Sequence, residues 1–82
     1  MMYEYMTLED NITIAHSDLK SDGTVKVYIE KPVDGGFQHI TCYLPEYKWC
    51  DNEGFSNEEL IYLRKIIKPN AYLIIESSRQ EG

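Results

Sequence analysis

The chain has 82 residues, 43% hydrophobic and 27% charged, with a formal charge of −6 from fourteen acids against eight bases. That length supports one domain with a modest core, which leaves few residues for a deep, water-excluding active site. Nucleic-acid binders draw affinity from basic residues that neutralise phosphates, so the charge argues against direct nucleic-acid binding, and no run of about 18 apolar residues offers a membrane span.

The opening Met1-Met2-Tyr3-Glu4 lacks the basic region and apolar core of a signal peptide. Residues 2–9, with Tyr3, Tyr5, Met6 and Leu8, fit no element cleanly. They are expected to act either as a lid over a sheet face or to leave that face to a partner. Residues 11–17 alternate, with Ile12 and Ile14 on one side and Thr13 and Ala15 on the other, which predicts a short half-buried strand. Asp22-Gly23 supplies a turn. Residues 24–31 give the clearest strand, with Val25, Val27 and Ile29 facing one way and Lys26, Tyr28 and Glu30 the other. Pro32 is expected to stop it, and Asp34-Gly35-Gly36 makes a second turn.

A third strand spans residues 37–44, with Ile40, Cys42 and Leu44 opposite Phe37, His39, Thr41 and Tyr43. Pro45 ends it. Residues 46–54 read as a polar loop carrying Tyr47, Trp49 and Cys50. Ser56-Asn57-Glu58-Glu59 then fits a capping box, with Phe55 and Leu60 placed for a hydrophobic staple. Leu60, Leu63 and Ile67 form the apolar stripe of a helix, and Arg64, Lys65 and Lys68 suit the negative end of its dipole. Pro69-Asn70 is expected to terminate it. Residues 71–76 then read as a further strand, and residues 77–82 as a disordered polar tail.

The expected fold is thus a single α+β domain over residues 1–82. A three-stranded antiparallel meander is followed by one helix and a further strand (β-β-β-α-β), the helix packed on one face of the sheet. The inner face should gather Ile12, Ile14, Val25, Val27, Ile29, Ile40, Cys42, Leu44, Leu73 and Ile75 against Leu60, Leu63 and Ile67. The other face should show Tyr28, Phe37, His39, Tyr43, Tyr72 and Ile74, a more aromatic surface than solubility requires.

Candidate chemistry is sparse. His39 and Cys42 are three apart on a strand, so they point to opposite faces, and there is no Cys-x-x-Cys knuckle to make a zinc site with His16 or Cys50. Asp51 and Glu53 beside Cys50 work against a thiolate nucleophile. Asp51-Asn52-Glu53-Gly54 opens like a calcium loop, but its twelfth position is Tyr62, where a glutamate is required. Glu58 and Glu59 diverge by roughly 100° on a helix, which does not suit paired acid–base work. No phosphate loop, nucleophile elbow or dinucleotide fingerprint is present. Catalytic residues, metal and cofactor are therefore all expected to be absent.

Acids cluster in two stretches. Residues 1–22 hold Glu4, Glu9, Asp10, Asp18 and Asp22 against Lys20, and residues 46–59 hold Glu46, Asp51, Glu53, Glu58 and Glu59 against Lys48. With Tyr47 and Trp49 as further anchors, the partner-binding candidates are Tyr28, Phe37, His39, Tyr43, Tyr47, Trp49, Tyr72, Glu46, Asp51 and Glu53. Asp34-Gly35-Gly36-Phe37, Leu44-Pro45 and Ser56-x-x-Glu59 give residues 28–67 an order of turns and cap that resembles the HicB-type antitoxin domain. Glu46 stands where that family has a glycine, and an extra strand precedes the matching region. The resemblance implies a protein that binds and neutralises a small basic toxin.

The sequence therefore leads to a non-enzymatic protein-interaction domain of a bacterial or mobile-element protein, resident in the cytoplasm. Its expected partner is another protein, basic in character, or a second copy in a homodimer. The alternative is an acidic, antitoxin-like inhibitor that occupies a basic nucleic-acid-binding partner.

Overall fold

Alternating apolar residues and one helical stripe assemble a five-stranded antiparallel sheet with a single long helix across one face. The computed structural model describes residues 1–81. Its order is β1 (Tyr3–Thr7), a 3-10 turn (Glu9–Asn11), β2 (Thr13–His16), β3 (Val25–Val33), β4 (Gly36–Leu44), β5 (Lys48–Glu53) and α1 (Asn57–Glu81). Each strand pairs with the next in the chain, so the sheet is a simple meander, β1-β2-β3-β4-β5. The α+β class stands, but the expected β-β-β-α-β order is corrected: five strands precede the helix, and among the described residues none follows it.

One stretch that the sequence leaves open and one that it reads as loop are edge strands. Residues 2–9 do not fold over the sheet as a lid. Tyr3–Thr7 extends it beside β2, with Tyr5, Met6 and Leu8 packed against the core. The stretch 46–54, expected as loop, supplies β5, with Trp49 opposite Cys42 and Cys50 opposite Thr41. Pro32 does not stop β3, which continues to Val33 and turns through Asp34-Gly35. Pro32 pairs with Phe37 beyond the end of β2, where an edge position has no ladder bond for it to break. Gly35 sits at φ 84, a conformation that costs glycine little. Gly54, at φ 99, leads β5 toward the helix, and a Cβ there would meet Gln38 Cγ at 2.8 Å.

The capping box forms as its sequence predicts: the Ser56 amide donates to Glu59 Oε1 at 3.0 Å, and the Glu59 amide donates to Ser56 Oγ at 3.2 Å. Pro69 does not end α1, and residues 71–76 are helix rather than strand. The cause is tertiary. Leu63, Ile67, Ala71, Ile74 and Ser78 form one continuous buried stripe across the proline, at the spacing of a helix face. Asn70 bonds on both sides, donating to the Ile66 carbonyl at 2.8 Å and accepting from the Tyr5 hydroxyl at 2.9 Å. The expected tail, 77–82, is helical as far as Glu81, with Ser78 buried; position 82 lies outside the described residues.

The core joins Ile12, Ile14, Val25, Val27, Ile29, Ile40, Cys42 and Leu44 to Phe55, Leu63, Ile67, Ala71 and Ile74. The expected inner face is corrected at Leu73, which is exposed on α1, while Ile75 and Leu60 are only partly buried against the core. Ile74, expected on the far side of the sheet, is fully buried. Among the described residues, no helix is long and apolar enough to cross a membrane.

Candidate functional site: the helix-free face of the sheet

Because strand side chains alternate, burying Val25, Val27, Ile29, Ile40, Cys42 and Leu44 under α1 turns the intervening residues to the opposite face. The register arranges these in cross-strand rows. The middle row runs Glu4, Ala15, Tyr28, Thr41, Cys50. On one side lies the row Thr13, Glu30, His39, Glu53, and on the other Lys26, Tyr43, Lys48. Phe37, 61% exposed, extends this face at the β3–β4 hairpin. Neither α1 nor β1 covers it.

The rings of Tyr28 and His39 stack with centroids 5.8 Å apart and planes 25° from parallel. The Tyr28 hydroxyl donates to Glu30 Oε2 at 3.2 Å. Partial burial first, and the Glu30 carboxylate second, raise the Tyr28 phenol above its usual range, so this hydroxyl remains a donor at neutral pH. Thr41 is buried at the centre of the face. The signs of charge are segregated, Glu30 and Glu53 in one row and Lys26 and Lys48 in another. Among the described residues none of these four forms an ion pair within the chain.

The sequence candidates therefore separate. Tyr28, Phe37, His39, Tyr43 and Glu53 share this face. Tyr72 does not; it lies on the outer surface of α1, 71% exposed, because its segment is helical. Glu46 and Tyr47 occupy the β4–β5 turn, Trp49 faces the helix side opposite Cys42, and Asp51 sits in the β5 bulge at φ 56. Tyr47 and Trp49 instead meet Arg64 and Lys68 of α1 around a groove of about 400 Å³.

Cys42 is unsuited to nucleophilic work: burial, and then the neighbouring Cys50, push its thiol up to about 12. His16 lies on the opposite side of the sheet from the Tyr28–His39 stack. It is buried beside Tyr3 and Tyr5, its Nδ1 at 2.8 Å from the Ser17 carbonyl oxygen. Among the described residues, no group of three or more His, Cys, Asp or Glu side chains is arranged to hold a metal ion. No family model, curated protein or solved structure matches the chain.

Lys26, Glu30, Lys48, Arg64 and Lys68 were missed as site residues. Parity along β3 already places Lys26 and Glu30 beside Tyr28. Lys48 needed β5 to be recognised, and Arg64 and Lys68 needed the packing of α1 against it.

Proposed function

We propose that this chain is a non-enzymatic protein-interaction domain that docks through the helix-free face of its sheet. One observation carries the reading: α1 covers one side, while the other brings together exposed Phe37 and half-buried Tyr28, His39 and Tyr43, with no helix over them among the described residues. Clustered aromatic side chains of this kind are the anchors of protein interfaces. Burial raises the Cys42 thiol and takes it out of consideration as a nucleophile. The test is photo-crosslinking in cells that express the protein, with the reactive group at position 37 or 43 and a control at position 72. Adducts from 37 and 43 but not 72 are expected. Absence of any adduct from 37 and 43 rejects the face as a docking surface.

A second reading is supported by the edge of the sheet. Exposed Glu46, Asp51 and Glu53 lie along and beside β5, the open edge strand. An acidic edge fits a basic partner, the role implied by the HicB-type resemblance. Reversing all three charges to lysine would then abolish capture of a basic nucleic-acid-binding protein co-expressed from the same operon or locus. Unchanged affinity rejects this reading.

A further inference from the structure

We infer that the occupant of the helix-free face is a second copy of this chain, in a two-fold dimer with the two sheets face to face and their strands antiparallel. The inference rests on the docking face proposed above and identifies its partner by charge and symmetry. Consider a two-fold axis along the middle row, Ala15-Tyr28-Thr41-Cys50. Rotation about it keeps each strand over its own copy and exchanges the two outer rows. Glu30 then faces Lys26 of the second copy, and Glu53 faces its Lys48, each pair made twice. His39 lies over Tyr43, and Tyr28 and Thr41 meet their own copies at the axis. Such an interface is isologous, with one patch complementary to itself.

Three features of the monomer favour this use. Within one chain the signs are sorted by row, whereas cross-strand stabilisation would set opposite charges side by side. All four charges lack an intrachain ion pair among the described residues. From Ala15 to Cys50 the row between them is uncharged, which suits the dry centre of an interface with charges at its rim, and Glu4 stands at that rim on β1, facing its own copy. Facing sheets lie about 10 Å apart, a gap that a lysine and a glutamate can span together. The rows cover on the order of 350 Å² of sheet in projection at strand spacings of roughly 4.8 Å. Even doubled over both partners this falls short of the roughly 1,000 Å² of a stable interface, so the pairing is weak and transient.

The test is a charge swap read by sedimentation equilibrium, with circular dichroism to confirm that each variant folds. Wild type is expected to dimerise at tens to hundreds of micromolar. Lys26→Glu with Lys48→Glu sets acid against acid and abolishes dimerisation, as does Glu30→Lys with Glu53→Lys, which sets base against base. The quadruple variant K26E/E30K/K48E/E53K keeps the net charge, restores every pair and restores the dimer. A wild type that stays monomeric, double variants that dimerise as well as wild type, or a quadruple variant that stays monomeric overturns the inference. The docking face itself survives that result if crosslinking at position 43 yields an adduct with a different protein, and falls if it yields none.

A different observation carries a second site independently. The groove beside α1 sets the rings of Tyr47 and Trp49 against Arg64 and Lys68, one helical turn apart, and among the described residues neither cation has a carboxylate partner. Tyr47 is held at φ 59 in the β4–β5 turn, a left-handed conformation that is costly for a bulky residue. We propose that the groove binds a small anion carried on a flat ring, the ring against the aromatics and the anion between the cations. Trp49 is the only tryptophan, so its fluorescence reports directly. Adenosine monophosphate is expected to quench it saturably, adenosine or inorganic phosphate alone far more weakly, and Arg64→Gln with Lys68→Gln should weaken the nucleotide at least tenfold. Non-saturating quenching, or quenching unchanged in the variant, overturns the site.

Discussion

At the start of α1, the Glu59 carboxylate accepts from the Ser56 amide through Oε1 and meets the Lys31 ammonium at 3.1 Å through Oε2. The Ser56 amide, and then Lys31, hold its acid below the ordinary value of 4.5 against the opposing effect of partial burial. A depressed carboxylate adds stability that is present above its unfolded value and is lost as pH falls through the folded one. Glu59→Gln is therefore expected to cost about 1 kcal/mol near neutrality, with the gap from wild type closing below about pH 4. Urea midpoints at the two pH values check this, and a gap of equal size at both would assign the effect to shape rather than charge. The capping box was legible because its bonds are local, three residues apart. The helix-free face was legible only where parity sufficed: Tyr28, His39 and Tyr43 alternate with buried neighbours on unmistakable strands. Lys48 and Glu53 were not placed there because β5 has only Trp49 to mark an inward side.

The elements misjudged from sequence are those decided by distant contacts. β1 carries a bulge between Glu4 and Met6 that breaks its alternation, and β5 is polar and strained at Asp51. Each exists because a stronger strand beside it offers a ladder. Residues 71–76 are rich in β-formers and follow a proline, two local signals for a strand. The stripe from Leu63 to Ser78 outweighs both. A proline inside a helix costs roughly 3 kcal/mol, and burial of the Ile74 side chain alone returns roughly 1.5–3 kcal/mol. If the stripe holds α1 together in spite of Pro69, then Pro69→Ala should raise stability by about 2 kcal/mol, after allowing for the freer unfolded chain. Tyr5→Phe, which removes the tie from β1 to Asn70, should lower it by about 1 kcal/mol. Denaturant midpoints measure both. A Pro69→Ala variant no more stable than wild type would mean that the sheet requires the helix geometry the proline imposes.

For the whole molecule, charge acts on association at two ranges. The sheet has open edges at β1 and β5, yet both carry bulges, and β5 adds exposed Lys48, Asp51 and Glu53. Such edges resist strand-to-strand pairing, so the proposed self-association through the face would close at two copies. Each copy nevertheless carries −6, and two approaching copies repel. That repulsion acts across the width of a molecule whose radius of gyration is 12.2 Å, whereas the Glu30–Lys26 and Glu53–Lys48 pairs of the proposed dimer would act across a few ångströms. Salt screens the longer interaction first: the Debye length falls from about 30 Å at 0.01 M to about 10 Å at 0.1 M and about 3 Å at 1 M. Dimerisation should therefore strengthen from about 0.01 M to somewhere around 0.1–0.3 M salt, as the net repulsion is removed. It should weaken again toward 1 M as the pairs themselves are screened. Sedimentation across this series decides the balance. A steady rise to 1 M would mean that Tyr28, Thr41 and Tyr43 hold the face together and the charges only set its register. A steady fall from the lowest salt would mean that attraction between the rows outweighs the net charge even at long range.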